Sequence, residues 1–297
     1  MNHAQQRPVL FGEVLFDRFP DGSEVLGGAP FNVAWHLRGF GEAPLFISRV
    51  GEDQSGRQAR LAMAAWGMDT AGLQTDPEHP TGAVRIELVN GEPRFEILPD
   101  QAYDFIHLAG LPDPGRPAFL YHGSLALRRQ ESRATLEALA SRLKAPVFLD
   151  VNLRPPWWQR EEILRWTRRA DWVKLNQDEL DRLAPGEGDP ESRGRCFLAQ
   201  YGLEYLVLTR GGEGALAFSA AGEAGRTRPA AATDVVDTVG AGDAFTAVFL
   251  LGRLRGWPLV RTLERAQAFA SAIVGVRGAT VSDPAFYQGF IDAWESA

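Results

Sequence analysis

Cysteine and lysine are the residues this 297-residue chain has least use for. Cys196 stands alone, which rules out an intrachain disulfide and a cysteine-built zinc site. Lys144 and Lys174 are the whole lysine complement, so arginine carries nearly all the positive charge. No lysine follows a glycine, which excludes a Walker A loop, and Schiff-base chemistry is not expected. No apolar run approaches the roughly 18 residues needed to cross a bilayer. Residues 1–7 are polar and carry no leader-like apolar stretch, so a cytoplasmic location is expected. The five histidines (His3, His36, His79, His107, His122) show no HExxH or other metal-ligand spacing. His122-Gly123-Ser124 lacks the GxSxG frame of a nucleophile elbow. With 38 acidic against 31 basic residues, a net charge of −7 and no basic block, neither nucleic acid nor a membrane surface is an expected partner.

What is present is ordinary globular composition, 45% hydrophobic and 23% charged. Short apolar runs alternate with helical patterns. Strands are predicted at 9–16, 45–47, 119–121, 147–151, 172–175, 205–209 and 215–219. Helices are predicted at 31–38, 58–66, 131–143, 161–169, 191–201, 240–254 and 260–274. In the last of these Val260, Leu263, Ala270, Ile273 and Val274 are expected to face inward. The 240–254 segment is apolar nearly all round and reads as a central helix. Such alternation implies a mostly parallel sheet with helices on both faces. Two strands at 84–89 and 94–98, split by Asn90-Gly91, form a hairpin outside that pattern and read as part of a small β lid.

Five glycine- or amide-rich stretches carry the chemistry. Asp237-Thr238-Val239-Gly240-Ala241-Gly242-Asp243 runs straight into the buried helix. Three small residues leave backbone N–H groups uncovered at a helix start, a ready anion site. The helix dipole is expected to favour ionised Asp243, a base beside a bound anion. The same stretch alone also reads as a helix start with glycines for a tight turn. Gly27-Gly28-Ala29-Pro30-Phe31-Asn32 opens another helix, with Asn32 either a ligand or a capping residue. Asn176 and Glu179 follow a strand and share a helical face; they suit Mg²⁺ held through water, or equally an N-cap with an acidic first turn. Thr209-Arg210-Gly211-Gly212-Glu213-Gly214 imitates a dinucleotide fingerprint but precedes a strand, so a glycine loop near nucleotide phosphates fits better. Asp150-Val151-Asn152-Leu153-Arg154 ends a strand where ligands sit in open α/β sheets, and Trp157 and Trp158 beyond it read as packing residues.

Together these stretches resemble the PfkB, or ribokinase-like, carbohydrate kinase family along nearly the whole chain. Residues 237–243 resemble its DTxGAGD signature, residues 27–32 with Arg49-Val50-Gly51-Glu52-Asp53 and Gly56 its N-terminal signature, and 176–179 its NxxE element. The resemblance implies an α/β, ribokinase-like three-layer sandwich: one domain over 1–297, with lid segments at about 14–26 and 84–98. It implies transfer of the γ-phosphate of ATP to a sugar hydroxyl, with Mg²⁺ and, in many members, a monovalent cation such as K⁺. Asp243 is implied as the base, and the N–H groups of Gly240, Ala241 and Gly242 as the anion hole. Asp17, Gly27, Gly28 and Asn32 are implied to hold the sugar. Asn176 and Glu179 are implied to organise Mg²⁺ and phosphate. Thr209, Gly211 and Gly214 would line the nucleotide, with Gln267 near the adenine. Asp237, Val239, Gly278 and Ser282 fall at the monovalent-cation positions.

Gly-Gly-Ala-Pro-Phe-Asn-Val-Ala is similar to the fructokinase branch, whereas ribokinases usually carry lysine where this chain has Ala29. Arg154 reads either as a hydroxyl ligand for fructose or as a clamp on the carboxylate of 2-keto-3-deoxygluconate. With no lysine near these motifs, a sugar-phosphate substrate is not expected. A nucleoside acceptor would need aromatic stacking, for which Phe31 and Trp35 are the candidates. A non-catalytic sugar- or nucleotide-sensing member of the fold is the reading from a different class. Exposed lid edges suggest a homodimer.

Overall fold

The computed structural model of the chain describes residues 6–89, 92–229 and 235–296. Among these residues the strands, in chain order, begin with β1 (Arg7–Phe11), β2 (Leu15–Arg18), β3 (Glu24–Gly27), β4 (Leu45–Gly51), β5 (Leu73–Asp76), β6 (Gly82–Val89) and β7 (Glu92–Ile97). They continue with β8 (Pro117–His122), β9 (Val147–Asp150), β10 (Trp172–Asn176), β11 (Tyr205–Thr209), β12 (Ala215–Ser219) and β13 (Ala224–Thr227). The helices are α1 (Ala29–Gly39), α2 (Gln54–Ala65), α3 (Gln130–Leu143), α4 (Arg160–Thr167), α5 (Gln177–Leu183), α6 (Pro190–Tyr201), α7 (Ala241–Leu254), α8 (Leu259–Val274) and α9 (Pro284–Glu295).

The large sheet has nine strands in the order β13-β12-β11-β10-β9-β8-β1-β4-β5. Its pairs from β11 across to β5 are parallel, and β12 and β13 form an antiparallel edge. Alternate strand residues point to opposite faces. Leu10, Phe46, Tyr121 and Phe148 pack with α1, α7 and α8. Val9, Phe11, Leu120 and Leu149 pack with α3, α4, α5 and α6. Both faces are therefore covered, the three-layer α/β arrangement expected of a mostly parallel sheet. The second sheet, β3-β2-β6-β7, is the small lid. The Asn90-Gly91 turn lies outside the described residues, but the strands on either side of it pair antiparallel.

Several expectations need correction. Residues 9–16 are two strands in different sheets, because Gly12 takes a positive φ of 151° and turns the chain out of the large sheet into the lid. Apolar residues on both sides of Gly12-Glu13 hide that turn, since residues 9–11 and 14–16 are all buried. On α8 the expected inward residues Leu263, Ala270 and Ile273 are buried, but the ends of the expected face are not. Leu259, Leu263 and Ala266 are buried, while Val260 is 47% exposed and Val274 is half-buried. Elements β5, β13 and α9 had no counterpart in the reading of the chain. Of these α9 matters most for the core. Its Tyr287 is fully buried, bonded through its hydroxyl to His36 Nδ1 at 2.9 Å, and packed on Phe40 and Phe269.

Gly39, the last residue of α1, lies where any side chain would run into the Tyr287 ring. Overpacking of this kind costs about 1–3 kcal/mol. Gly39→Ala is therefore expected to lower stability by about that amount in denaturant unfolding, with the unfolding slope unchanged.

Candidate active site

The C-terminal ends of the central strands meet the N-termini of α1 and α7. Helix α7 starts from Gly240, which holds a left-handed φ of 79° as N-cap. A Cβ there would stand 2.5 Å from the Ala279 backbone, so only glycine fits. The N–H groups of Gly240, Gly242 and Asp243 meet no protein acceptor among the described residues. That of Ala241 reaches Thr238 O at only 3.4 Å. A row of unsatisfied donors at the positive end of a buried 14-residue helix is an anion cradle.

Asp243 sits on the first turn of that helix. Its Oδ2 accepts a hydrogen bond from Asn32 Nδ2 at 2.8 Å. Asn32 stands on the first turn of α1, whose N-cap Gly28 has a positive φ of 112° and no room for a side chain against the Glu13 carbonyl. Burial lifts the Asp243 carboxyl to about 6, against the lowering effect of Asn32 and of Lys174. The dipole was expected to favour the ionised form; desolvation outweighs it. At neutral pH the group remains mainly carboxylate, but a stronger base than free aspartate, which suits proton abstraction from a hydroxyl.

Around this carboxylate the predicted sugar ligands come together. A Cβ on Gly27 would lie 3.8 Å from Asn32 Oδ1 and 3.9 Å from Asp17 Oδ2. Asn32 Oδ1 is buried with no partner. Burial raises Asp17 to about 6, opposed by the charge of Arg154. Arg154 is exposed, has no ion-pair partner among the described residues, and acts electrostatically on Glu13, Asp17 and Asp243.

On the other side of α7, Asn176 and Thr209 are register partners at the ends of β10 and β11. Asn176 and Glu179 form a reciprocal capping box: Asn176 Oδ1 accepts from Glu179 N at 2.9 Å, and Glu179 Oε2 from Asn176 N at 2.8 Å. Glu179 Oε1 accepts from Leu153 N at 2.8 Å, so both oxygens are already engaged and buried. The pair fits a metal ion only through water, on lone pairs these bonds leave free. Gly211 lies in the exposed 3-10 turn after β11. Gly214 closes that turn where a side chain would collide with the Thr227 carbonyl, so packing against β13 already explains it. Gln267 stands half-buried on α8, its amide donating to Ser271 Oγ at 3.3 Å, and no hydrogen bond among the described residues ties it to Thr209 or Gly214. Asp237 accepts from Val239 N at 3.0 Å and from Gly278 N at 3.1 Å, which joins three of the four predicted monovalent-cation positions. Ser282 is exposed and shares no hydrogen bond with them among the described residues.

Sequence reasoning missed two groups and misjudged two others. Lys174 was thought remote from the motifs, yet its Nζ lies 3.5 Å from the point a Gly242 Cβ would occupy. Burial works against its charge, but Asp150 Oδ2 at 2.7 Å outweighs burial and holds the ammonium above the usual lysine range. Its position in the middle of an apolar strand, between Val173 and Leu175, was the available signal. Glu13 is 3% exposed and is raised by burial to about 7; a carboxylate amid an apolar run was its signal. Phe31 and Trp35 are spent in the core, where Trp35 stacks on Trp66 at 5.1 Å, so neither can stack on a nucleoside base.

A sheet covered on both faces, an anion cradle and a buried carboxylate beside it define a kinase that phosphorylates hydroxyl groups. The chain belongs to the pfkB family of carbohydrate kinases, whose pattern matches residues 4–285. Among its relatives is a fructokinase of Escherichia coli, 32% identical over 260 residues, covering 82% of this chain and 83% of the relative. An aminoimidazole riboside kinase of Salmonella typhimurium is 30% identical over 300 residues, covering 95% and 93%. A crystal structure of a fructokinase from Vibrio cholerae O395, in fructose, ADP and calcium ion bound form, superposes with a TM-score of 0.82 at 27% identity, covering 96% of this chain and 99% of that one. Among the described residues no helix is long and apolar enough to cross a membrane.

Two substitutions test the buried charges of the site. Asp243→Asn keeps an acceptor for the Asn32 amide and is expected to cut kcat by about 10²–10⁴-fold, with an unchanged circular dichroism spectrum. Lys174→Met leaves Asp150 buried without its counter-ion. It is expected to lower stability by about 3–5 kcal/mol in denaturant unfolding.

Proposed function

We propose that the chain transfers the γ-phosphoryl group of ATP to a sugar hydroxyl, with D-fructose as acceptor and fructose 6-phosphate as product. The observation that carries this reading is the meeting of Asp243 with the uncovered N–H groups of α7, next to Asn32 and Asp17. Asp243 takes the proton from the attacking hydroxyl. The N–H groups of Gly240, Ala241 and Gly242 receive charge developing on the transferred phosphoryl group, and Lys174 adds a fixed cation beside them. Asp17, Asn32 and the backbone at Gly27 and Gly28 orient the sugar. Asn176 and Glu179 suit water ligands of Mg²⁺, which neutralises phosphate charge when bound, and Thr209 with the turn at Gly211 suits the nucleotide. The loops joined by Asp237 are the proposed place for K⁺. Fructokinases stand among the relatives in both comparisons, which supports fructose, although an aminoimidazole riboside kinase stands in both as well. The free guanidinium of Arg154 supports a second acceptor, an acidic sugar such as 2-keto-3-deoxygluconate, through a carboxylate clamp.

A coupled ADP-release assay with Mg-ATP tests the reading against fructose, ribose, 2-keto-3-deoxygluconate, glucose, adenosine and fructose 6-phosphate. Fructose is expected to give the highest kcat/KM. Preference for the keto-deoxy acid would replace it, and binding of sugar and ATP without ADP release would make the chain a sensor.

The acid limb of the profile should also report Asp243. The base must be ionised, so kcat/KM is expected to fall tenfold per unit below a midpoint near pH 6. The Asn32 hydrogen bond lowers the Asp243 pKa, so its loss raises it. Asn32→Ala should therefore move that midpoint upward, besides raising KM for sugar more than for ATP. An unmoved midpoint would detach Asn32 from the base.

A further inference from the structure

Next to Gly28 and within the field of Asp243 lies a second group of polar side chains, Glu13, Tyr103 and Arg128. Glu13 follows the C-terminal end of β1, and its own carbonyl forms the wall against which Gly28 is pressed. Tyr103 lies in the turn after the lid strand β7 and is fully buried. Arg128 follows β8, with a side chain only 4% exposed. Its guanidinium lies 5.2 Å from the Tyr103 ring centre and 4.4 Å from that of Trp157. The charges of Glu13 and Arg128 act on one another and on Tyr103, and Glu13 also feels Asp243 and Arg154. The group therefore adjoins the proposed acceptor site.

Each of the three carries a buried polar atom whose geometry meets no full hydrogen bond, Glu13 Oε2, Tyr103 Oη and Arg128 Nη1, with the Tyr103 hydroxyl and the Arg128 guanidinium facing one another. Leaving one such atom unpaired costs about 1–3 kcal/mol. Nine such atoms occur among the described residues, and that three of them fall in this one cluster points to something that binds them. The remaining donors of Arg128 are fixed elsewhere. Nε and Nη2 each donate to Asp104 at 2.7 Å, and Nη2 also to Leu98 O at 2.7 Å. Asp104 is itself fully buried and capped onto Gln101 N at 3.0 Å. Nη1 is thus held in place by two carboxylate contacts, and the rigid cluster offers one acceptor, one donor and one phenol that does both. That set matches an alcohol, which donates once and accepts, better than an anion, which would face Glu13, or a cation, which would face Arg128.

We infer that Glu13, Tyr103 and Arg128 form an acceptor subsite that binds a hydroxyl of the sugar other than the one phosphorylated. The inference rests on the sugar-kinase reading above. Burial holds the Glu13 carboxyl at about 7, so near neutral pH it can accept from that hydroxyl or donate to it. A site built to bond a hydroxyl rejects the analogue that lacks it, because its own groups are then left unpaired.

The test uses Glu13→Gln and Tyr103→Phe in the full chain. Steady-state kinetics are measured on the best acceptor of the panel and on its single-deoxy analogues. Both variants are expected to raise KM for the sugar about tenfold or more while KM for ATP stays within twofold. Wild-type protein should lose at least tenfold in kcat/KM on one deoxy analogue, and Glu13→Gln should no longer discriminate against that same analogue. If both variants keep the wild-type sugar KM while their melting temperatures rise, the cluster is a desolvated polar group with no substrate contact, and the inference falls alone. If wild-type protein phosphorylates no sugar of the panel, the kinase reading falls and takes this subsite with it. Tyr103→Phe is nearly isosteric and removes one buried hydroxyl, so it keeps the experiment decisive should Glu13→Gln misfold.

Discussion

Two helices, α1 and α7, begin facing one another above the middle of the sheet, and a single hydrogen bond from Asn32 to Asp243 joins their first turns across 211 residues of sequence. Everything that makes the site reactive depends on that approach. It brings the positive ends of two helices together, which favours anions. It also places Asp243 where water is scarce, which raises its basicity. The approach is possible because both helices start from glycines with positive φ, Gly28 and Gly240, each pressed against backbone from elsewhere, Glu13 in one case and Ala279 in the other. A Cβ at either position would part the helices and separate Asp243 from the Asn32 amide.

The electrostatic consequence is a site that works against the stability of its own fold. Burial raises Glu13 to about 7 and Asp17 and Asp243 to about 6. Raised carboxyl pKa values stabilise the folded state below the unfolded value, and that contribution is lost as pH rises through the folded one. Near neutrality these groups are thus charged at a cost. His36 and His122 are buried and lowered to about 4, with the opposite sign: their contribution is present above the unfolded pKa and is lost as pH falls toward 4. Between about pH 4 and 7 the two sets oppose each other. The histidines lie in the packed layers, His36 against Phe269 and His122 against Trp166, so acid loosens the core while it relaxes the site.

The legible part of this structure was the part made of backbone rules. Glycine-rich helix starts, strand–helix alternation and the apolar all-round pattern of α7 follow from local sterics and burial, and a single sequence displays them. Asn32 and Asp243 were legible as candidates, each in a glycine-rich helix start that reads equally as a cap, whereas Asp17 came from the family resemblance alone. Less visible were groups defined by what lies across the fold. Lys174 looks like one more residue of a strand until Asp150 and Gly242 are placed beside it. Glu13 is hidden in an apolar run that reads as one strand and is two. Asn176 shows the converse difficulty, because a capping box and a metal-organising pair use the same residue types at the same spacing, and the structure makes the capping bonds explicit.

The lid ties these levels together. Asp17, Val25 and Val84 are register partners, and Ile86 with Phe95 continues the same face two residues on. Val25 and Phe95 on that face are 38% and 56% exposed. Thus one side of the lid carries Asp17 at its root and apolar residues farther out. The root is fixed to the large sheet by two side chains: Arg128 holds the Leu98 carbonyl at 2.7 Å, and Trp157 Nε1 reaches the Ile97 carbonyl at 3.3 Å. Arg128 is also the cation of the Glu13 cluster. A ligand that engages Nη1 therefore acts on the same rigid guanidinium that anchors the end of β7. On the proposed reading, acceptor binding and lid anchoring would thus share one residue, Arg128, itself held by its buried pair with Asp104.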